Sequence, residues 1–219
     1  MTKPAQNLKN IVIVVFPNVQ SLDFVGPHEV FAGANKLIDR TGRTESGYRI
    51  TVASLDGAPI TTSGGLRIVP DTSLAEAPKR IDTLLVPGGA GSAPASADEG
   101  LLDWVRTASK RTRRVTSVCT GAFVLAAAGL LDGRRATTHW ASAAKLAERY
   151  PAVEVDADAI YVHDGQVWTS AGVTAGMDLA LALVEEDLDR EAALTIARNL
   201  GLSLRVPDDR SRSSATLAL

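Results

Sequence analysis

Apolar positions along this chain fall into short β-branched runs separated by longer stretches of helical periodicity. Asn10–Phe16 (NIVIVVF) runs on without polar alternation, which predicts a strand covered on both faces. A loop, FPNVQSLD, follows. Gly26-Pro27 then opens a helix over Pro27–Asp39, with the proline near its first turn. Tyr48–Ser54 is a second strand. Asp56-Gly57 and Gly64-Gly65 are turn signals that predict a short hairpin-like excursion. Ile81–Val86 is a buried strand stopped by Pro87-Gly88-Gly89. Leu101–Thr112 is helical, with Leu102, Val105 and Ala108 on one face. Its basic end, Lys110–Arg114, suits the negative pole of a helix.

The stretch Arg114–Leu131 (RVTSVCTGAFVLAAAGLL) reads as a strand over Val115–Val118, then Cys119, then an apolar helix opening at Thr120. Asp132-Gly133 turns the chain, and Ala136–Thr138 is a short strand. Trp140–Tyr150 is a helix followed by Pro151. Val153–Val155, Ala159–Val162 and Val167–Ser170 are short strands. Thr174–Glu186 and Arg190–Leu202 are helices. The arginine- and serine-rich tail, Pro207–Leu219, is expected to be disordered. With no internal repeat and no dividing linker, the pattern predicts a single α/β domain. Its sheet is mostly parallel, with helices on both faces.

Composition narrows the function classes. The chain has 219 residues, 45% hydrophobic and 22% charged, which suits one sizeable soluble core. The formal charge of −2 and the want of a basic recognition helix predict no nucleic-acid partner for this chain alone. The opening MTKPAQNLKN lacks the apolar centre of a signal peptide, and no apolar run approaches the ~20 residues of a membrane helix. The expectation is therefore a cytoplasmic protein with no membrane partner. A single cysteine excludes an internal disulfide and a cysteine-rich zinc site. His28, His139 and His163 are scattered without i, i+4 spacing, so no metal site is expected.

Chemistry is expected where strand ends converge. In a parallel sheet the residues just past each strand lie along one edge, where ligands bind. Those residues are Asp23, Gly88-Gly89, Cys119 and Gly172-Val173. Cys119 sits where a strand becomes a helix, so helix N–H groups aimed at its sulfur would favour the nucleophilic thiolate. The alternative is a free cysteine that only fills space. Gly121 tolerates a close approach of backbone or ligand. Asp23 either handles a proton beside the sulfur or caps a helix. Gly88-Gly89 either lends N–H groups, with Thr120, to an anion hole or only makes a tight turn. The Thr120 hydroxyl can donate to substrate or sulfur. His139 either pairs with Cys119 or, packed beside Trp140 in a half-buried position, has a structural or substrate-orienting role. His28 is placed near the same edge without a task, and His163 in a solvated turn. The sequence GGAG lacks the spacing of a dinucleotide fingerprint, so no nucleotide cofactor, and no other cofactor, is expected.

These segments resemble a known superfamily. VTSVCTGAFVLAAAGLLDGRRATTHW, FPNVQSLDFVGPHEVF, LLVPGGAG and SAGVTAGMDLAL, in this order, are similar to the ThiJ/PfpI superfamily, the class I glutamine-amidotransferase-like proteins. The resemblance runs from about Ile11 to Arg205 and places the domain at residues 8–206. It implies a flavodoxin-like sandwich, a nucleophilic cysteine on a strained elbow, an acidic neighbour and a homodimer. Two subgroups fit. Isonitrile hydratases carry an aspartate in a Leu-Asp-x-x-Gly-Pro context and Cys-Thr-Gly at the elbow. Carried over, Cys119 is the nucleophile, Asp23 the acid/base and Thr120 a supporting hydroxyl. The pocket then takes in Gly88, Gly89, Gly121, His139 and Gly172. Sensor domains of AraC-type transcription regulators fit FAGANKLIDRTG and TIARNLGLSLRVPDD, and imply a small-molecule ligand without turnover. Thr120 where proteases and deglycases of the superfamily carry histidine, and Asp23 where others carry glutamate, point away from those activities.

Overall fold

The computed structural model describes residues 8–202, so the expected tail at 207–219 lies outside the described residues. In chain order the first half forms β1 (Lys9–Val14), α1 (Ser21–Thr41), β2 (Tyr48–Ser54) and three two-residue strands, β3 (Ile60–Thr61), β4 (Arg67–Ile68) and β5 (Thr72–Ser73). It continues with β6 (Thr83–Val86), α2 (Ser92–Ala95), α3 (Glu99–Ser109), β7 (Arg114–Val118) and α4 (Gly121–Ala127). The second half adds β8 (Arg135–Ala136), a 3-10 turn (Trp140–Ser142), α5 (Ala143–Arg149), β9 (Glu154–Val155), β10 (Tyr161–Asp164) and β11 (Val167–Ser170). Helices α6 (Thr174–Asp187) and α7 (Arg190–Asn199) close the described chain.

Seven strands make one sheet in the order β10-β11-β7-β6-β1-β2-β5, parallel throughout except for the antiparallel edge strand β10. Strand order reverses at β1, so the topological switch point lies between β1 and its neighbour β6. Helices α1, α6 and α7 pack together, and α2 and α3 pack on α4, which gives one helical layer on each face. The continuous β-branched runs are buried as strands covered on both sides must be. Ile11–Val14 and Leu84 have no exposed surface. The hairpin signals produce β3 and β4, which pair antiparallel across Gly64-Gly65. β8 pairs with β9 as a separate small parallel sheet.

Helix α1 starts at Ser21, six residues before the proline expected to open it, so Pro27 lies inside the helix. Pro27 has no N–H to give the Asp23 carbonyl, a defect that disfavours interior proline. Packing outweighs it: Gly26 and Pro27 are buried against α6, and a side-chain carbon added at Gly26 would lie 2.8 Å from Met177 Cγ. Local propensity yields here to tertiary contact. Asp23 is thereby fixed in the first turn of a helix.

One further expectation is corrected. Arg114 does not serve the end of α3. It is the first residue of β7, 3% exposed, and its guanidinium pairs with Asp187 (2.9 Å) and Glu186 (2.9 Å), while Arg113 bridges Asp82 and Asp187. Burial works against ionisation of Asp187, but the Arg114 and Arg113 guanidiniums outweigh it and hold the carboxyl below its usual range. His139 is half-buried with its ring 5.5 Å from that of Trp140, as expected, and Trp140 itself is 72% exposed.

Candidate active site

The carboxyl ends of β1, β6, β7 and β11 bring Asp23, Gly88, Cys119 and Gly172 to one edge, as the parallel topology requires. Cys119 ends β7 in the left-handed region, with φ 58°. Both its backbone groups are held: its N–H donates to the Ser170 carbonyl (3.0 Å), and its carbonyl accepts from Thr138 Oγ1 (2.8 Å). A non-glycine residue at positive φ costs on the order of 1–3 kcal/mol and persists only where neighbours fix it in this way. The turn is also crowded. A side-chain carbon at Gly88 would lie 2.5 Å from the Thr120 nitrogen and 2.9 Å from Cys119 Cβ, and one at Gly172 would lie 3.0 Å from the sulfur. Only glycine lets these two loops close on the cysteine. Gly121 likewise faces the Val86 carbonyl, 2.1 Å from where its Cβ would be.

Asp23 is fully buried, and its carboxylate does not cap its own helix. Oδ2 accepts from the Gly88 N–H (3.1 Å) and Oδ1 from the Val173 N–H (3.0 Å), and the Cys119 thiol lies beside the carboxyl, near enough to act on its ionisation. Val173 is itself strained, at φ 49°. Burial raises the Asp23 carboxyl above its usual range, and the Val173 and Gly88 N–H groups, the thiol and nearby His139 oppose that rise.

Cys119 is 7% exposed, and burial followed by the charge of Asp23 pushes its thiol up from 9.0 to about 12. The Thr120 N–H and hydroxyl act in the other direction but do not prevail. The expected standing thiolate is therefore corrected. The pair holds one proton between thiol and carboxylate, because two adjacent negative charges in a dry site repel.

Thr120 is bound to its own surroundings. Its Oγ1 accepts the Gly89 N–H (2.9 Å) and shares a proton with Ser92 Oγ (2.8 Å). The N–H groups of Gly88, Gly89 and Val173 are thus all engaged within the protein, and the Thr120 N–H is the donor aimed at the sulfur. His139 is half-buried at the start of the 3-10 turn, where its Nδ1 accepts from the Ala141 N–H (3.3 Å). His28 lies beside Glu29 on α1, and His163 stacks on Trp168 at 3.7 Å away from this edge. Sequence reasoning placed Val173 at this edge without a role, and it missed Thr138. Val173 acts through a backbone N–H, which no side-chain pattern reveals. Thr138 carried a signal, a hydroxyl directly before His139. Among the described residues no cluster suits a metal ion and no helix is long and apolar enough to cross a membrane.

An α/β sandwich with strand order reversing at β1, a cysteine at positive φ past a central strand and a buried carboxyl at its side define a flavodoxin-like protein with a cysteine-carboxyl site. The DJ-1/PfpI family model matches residues 9–186, and the chain belongs to that family. It is 39% identical over 199 residues to an isonitrile hydratase of Pseudomonas putida, covering 91% of this chain and 81% of that one. It is 32% identical over 192 residues to the HTH-type transcriptional regulator GbdR of Pseudomonas aeruginosa, covering 88% of this chain but only 50% of the regulator. The chain thus spans about half the length of that relative. Among solved structures, a THiJ/PfpI family protein from Pseudomonas syringae superposes with a TM-score of 0.80 at 31% identity, over 93% of this chain and 79% of that one.

Proposed function

We propose that this chain is a cysteine-dependent hydratase of the isonitrile hydratase type. The observation that carries the reading is the contact of the Cys119 thiol with a buried carboxyl, Asp23, whose two oxygens are already fixed by backbone N–H groups. The similarity to the Pseudomonas putida enzyme over 91% of the chain supports the substrate class. A thiol held near a pKa of about 12 is protonated at neutral pH, so attack requires a base in contact with it, and Asp23 is that base.

In the proposed reaction the sulfur forms a bond to the terminal isonitrile carbon while the thiol proton passes to Asp23 and from there to that carbon. The product is a thioimidate, R–N=CH–S–Cys119. Water then adds to the same carbon, with Asp23 accepting one of its protons and passing it to the imine nitrogen. The carbon–sulfur bond breaks as the carbonyl forms, the remaining hydroxyl proton goes by way of Asp23 to the sulfur, and an N-substituted formamide leaves. Isonitrile and water are consumed and no oxidant or reductant is needed. Gly88, Gly121 and Gly172 keep the turn narrow, Gly89 and Thr120 brace it, and His139 adds polarity at its mouth. Leu22 and Val25, exposed on α1 beside Asp23, favour a homodimer.

The test is to incubate the protein with cyclohexyl isocyanide and follow N-cyclohexylformamide by NMR, with Cys119→Ala as control. Cysteine-dependent formamide is the expected result. No such product from several isonitriles removes the hydratase reading and leaves the second one, a ligand-sensing domain without turnover. That reading is favoured by the similarity to a regulator of which the aligned region covers half. It predicts saturable ligand binding that Cys119→Ala retains.

A further inference from the structure

A second cavity opens at the same edge of the sheet, on the other side of the glycine loop from Cys119. It has a volume of about 380 Å³ and lies outside the ends of β1 and β2, bounded by the segment that follows β6. It lies on the β2 side of β1, next to but distinct from the crevice between β1 and β6 where the strand order reverses. Phe16, Pro17, Leu55, Pro59, Ile60 and Leu101 give it an apolar wall. Its size and composition are those of a small-molecule pocket. Cys119, Asp23 and Thr120 do not line it. The partition is the Gly91 N–H bonded to the Asn18 carbonyl (3.0 Å), so the two sites stand back to back.

The charge in this cavity has one sign. Asp56 and Asp98 both line it, and no cation does among the described residues. One oxygen of each is engaged: Asp56 Oδ1 accepts from the Ala58 N–H (3.0 Å), and Asp98 Oδ1 accepts from the Leu101 N–H (3.0 Å) at the start of α3. The other oxygen of each has no partner among the described residues, so it is open to a donor that enters the cavity. An apolar chamber with two such carboxylates disfavours anions and matches an ammonium group on an apolar body. We propose that this cavity is a second ligand site, separate from the cysteine, that takes a small organic amine in its cationic form.

The probe is benzylammonium, titrated into the full chain by calorimetry and by NMR chemical shift, against benzyl alcohol and benzoate. Saturable binding of benzylammonium at or below about 1 mM is expected, with benzoate at least about 10-fold weaker. The double variant Asp56→Asn, Asp98→Asn keeps an acceptor at both backbone contacts and a good helix cap while removing the charge. It should weaken benzylammonium about 10-fold and leave benzyl alcohol unchanged. Ala58→Trp, at an exposed rim position, should fill the cavity and abolish binding while thermal unfolding shows a folded protein. Cys119→Ala should bind as the parent does. The proposal fails if benzylammonium does not saturate, if it binds no better than benzoate, if Ala58→Trp leaves binding intact, or if Cys119→Ala abolishes it. None of these outcomes depends on whether isonitriles are hydrated.

Discussion

Raising the pH should destabilise this protein through Cys119, and by an amount the structure sets. In the folded chain the thiol is pushed from 9.0 to about 12, first by burial and then by the Asp23 charge. In the unfolded chain it titrates near its ordinary value. A group whose folded pKa is raised adds stability that is fully present below the unfolded value and lost as pH climbs towards the folded one. The ceiling of that loss is about 4 kcal/mol, from a shift of about three pH units at 1.36 kcal/mol each. At about pH 10 the unfolded thiol is roughly nine-tenths ionised and the folded one hardly at all, so the loss there is about 1.4 kcal/mol. Tyrosines and lysines also titrate in this range, so the quantity to measure is a difference. Urea unfolding of the parent and of Cys119→Ala at about pH 7 and about pH 10 gives it, because the packing effect of the substitution cancels between the two pH values. The gap should move by about 1.4 kcal/mol, or roughly 0.5–0.7 M in urea midpoint. Parallel pH dependence in the two proteins would refute the reasoning, since the thiol would then titrate alike folded and unfolded.

Asp23→Asn removes the negative charge beside the sulfur, so it should speed alkylation of Cys119 by iodoacetamide at mildly alkaline pH while lowering formamide production at least about 100-fold. Slower alkylation would show that the charge does not act on the thiol. It should also cost about 1–3 kcal/mol in urea unfolding, because an amide can accept from only one of the Gly88 and Val173 N–H groups. Arg114→Met leaves Asp187 buried with Arg113 and the Tyr48 hydroxyl as its remaining partners, so urea unfolding should report a loss of about 3–5 kcal/mol, and a loss below about 1 kcal/mol would mean the pair is dispensable.

Much of the architecture is written in the side chains. Ile11–Val14 and Leu84–Val86 are uniformly apolar runs that read as strands covered on both faces, Val115–Val118 reads as a strand from its flanking valines around Thr116 and Ser117, and turn residues mark where they stop. From that alone the rule that parallel strand ends share an edge placed Asp23, Gly88, Cys119 and Gly172 together, and they are together. The two-residue strand β5 carries no such mark, because so short a run has no period, while β8 and β9 overlap the short strands expected at Ala136–Thr138 and Val153–Val155. α1 begins early because packing of Gly26 and Pro27 on α6 outweighs a local proline rule, and no window on α1 alone contains that information.

The ionisation of the site was misread for a related reason. A cysteine where a strand meets a helix suggests a thiolate only if donors outnumber the costs of burial and like charge. Here one N–H, that of Thr120, is aimed at the sulfur, while Gly88 and Val173 direct theirs to Asp23 and Gly89 directs its own to Thr120. Those backbone donors hold a carboxylate next to the sulfur instead of stabilising the sulfur itself. The same residues at the same spacing would activate the thiol if the N–H groups faced it, and their allocation is a property of loop conformation that residue identity does not encode. In the proposed reaction the site therefore delivers its nucleophile by proton transfer to Asp23, and the proposed role of the strained φ of Cys119 and Val173 is to keep acid and base together for that transfer.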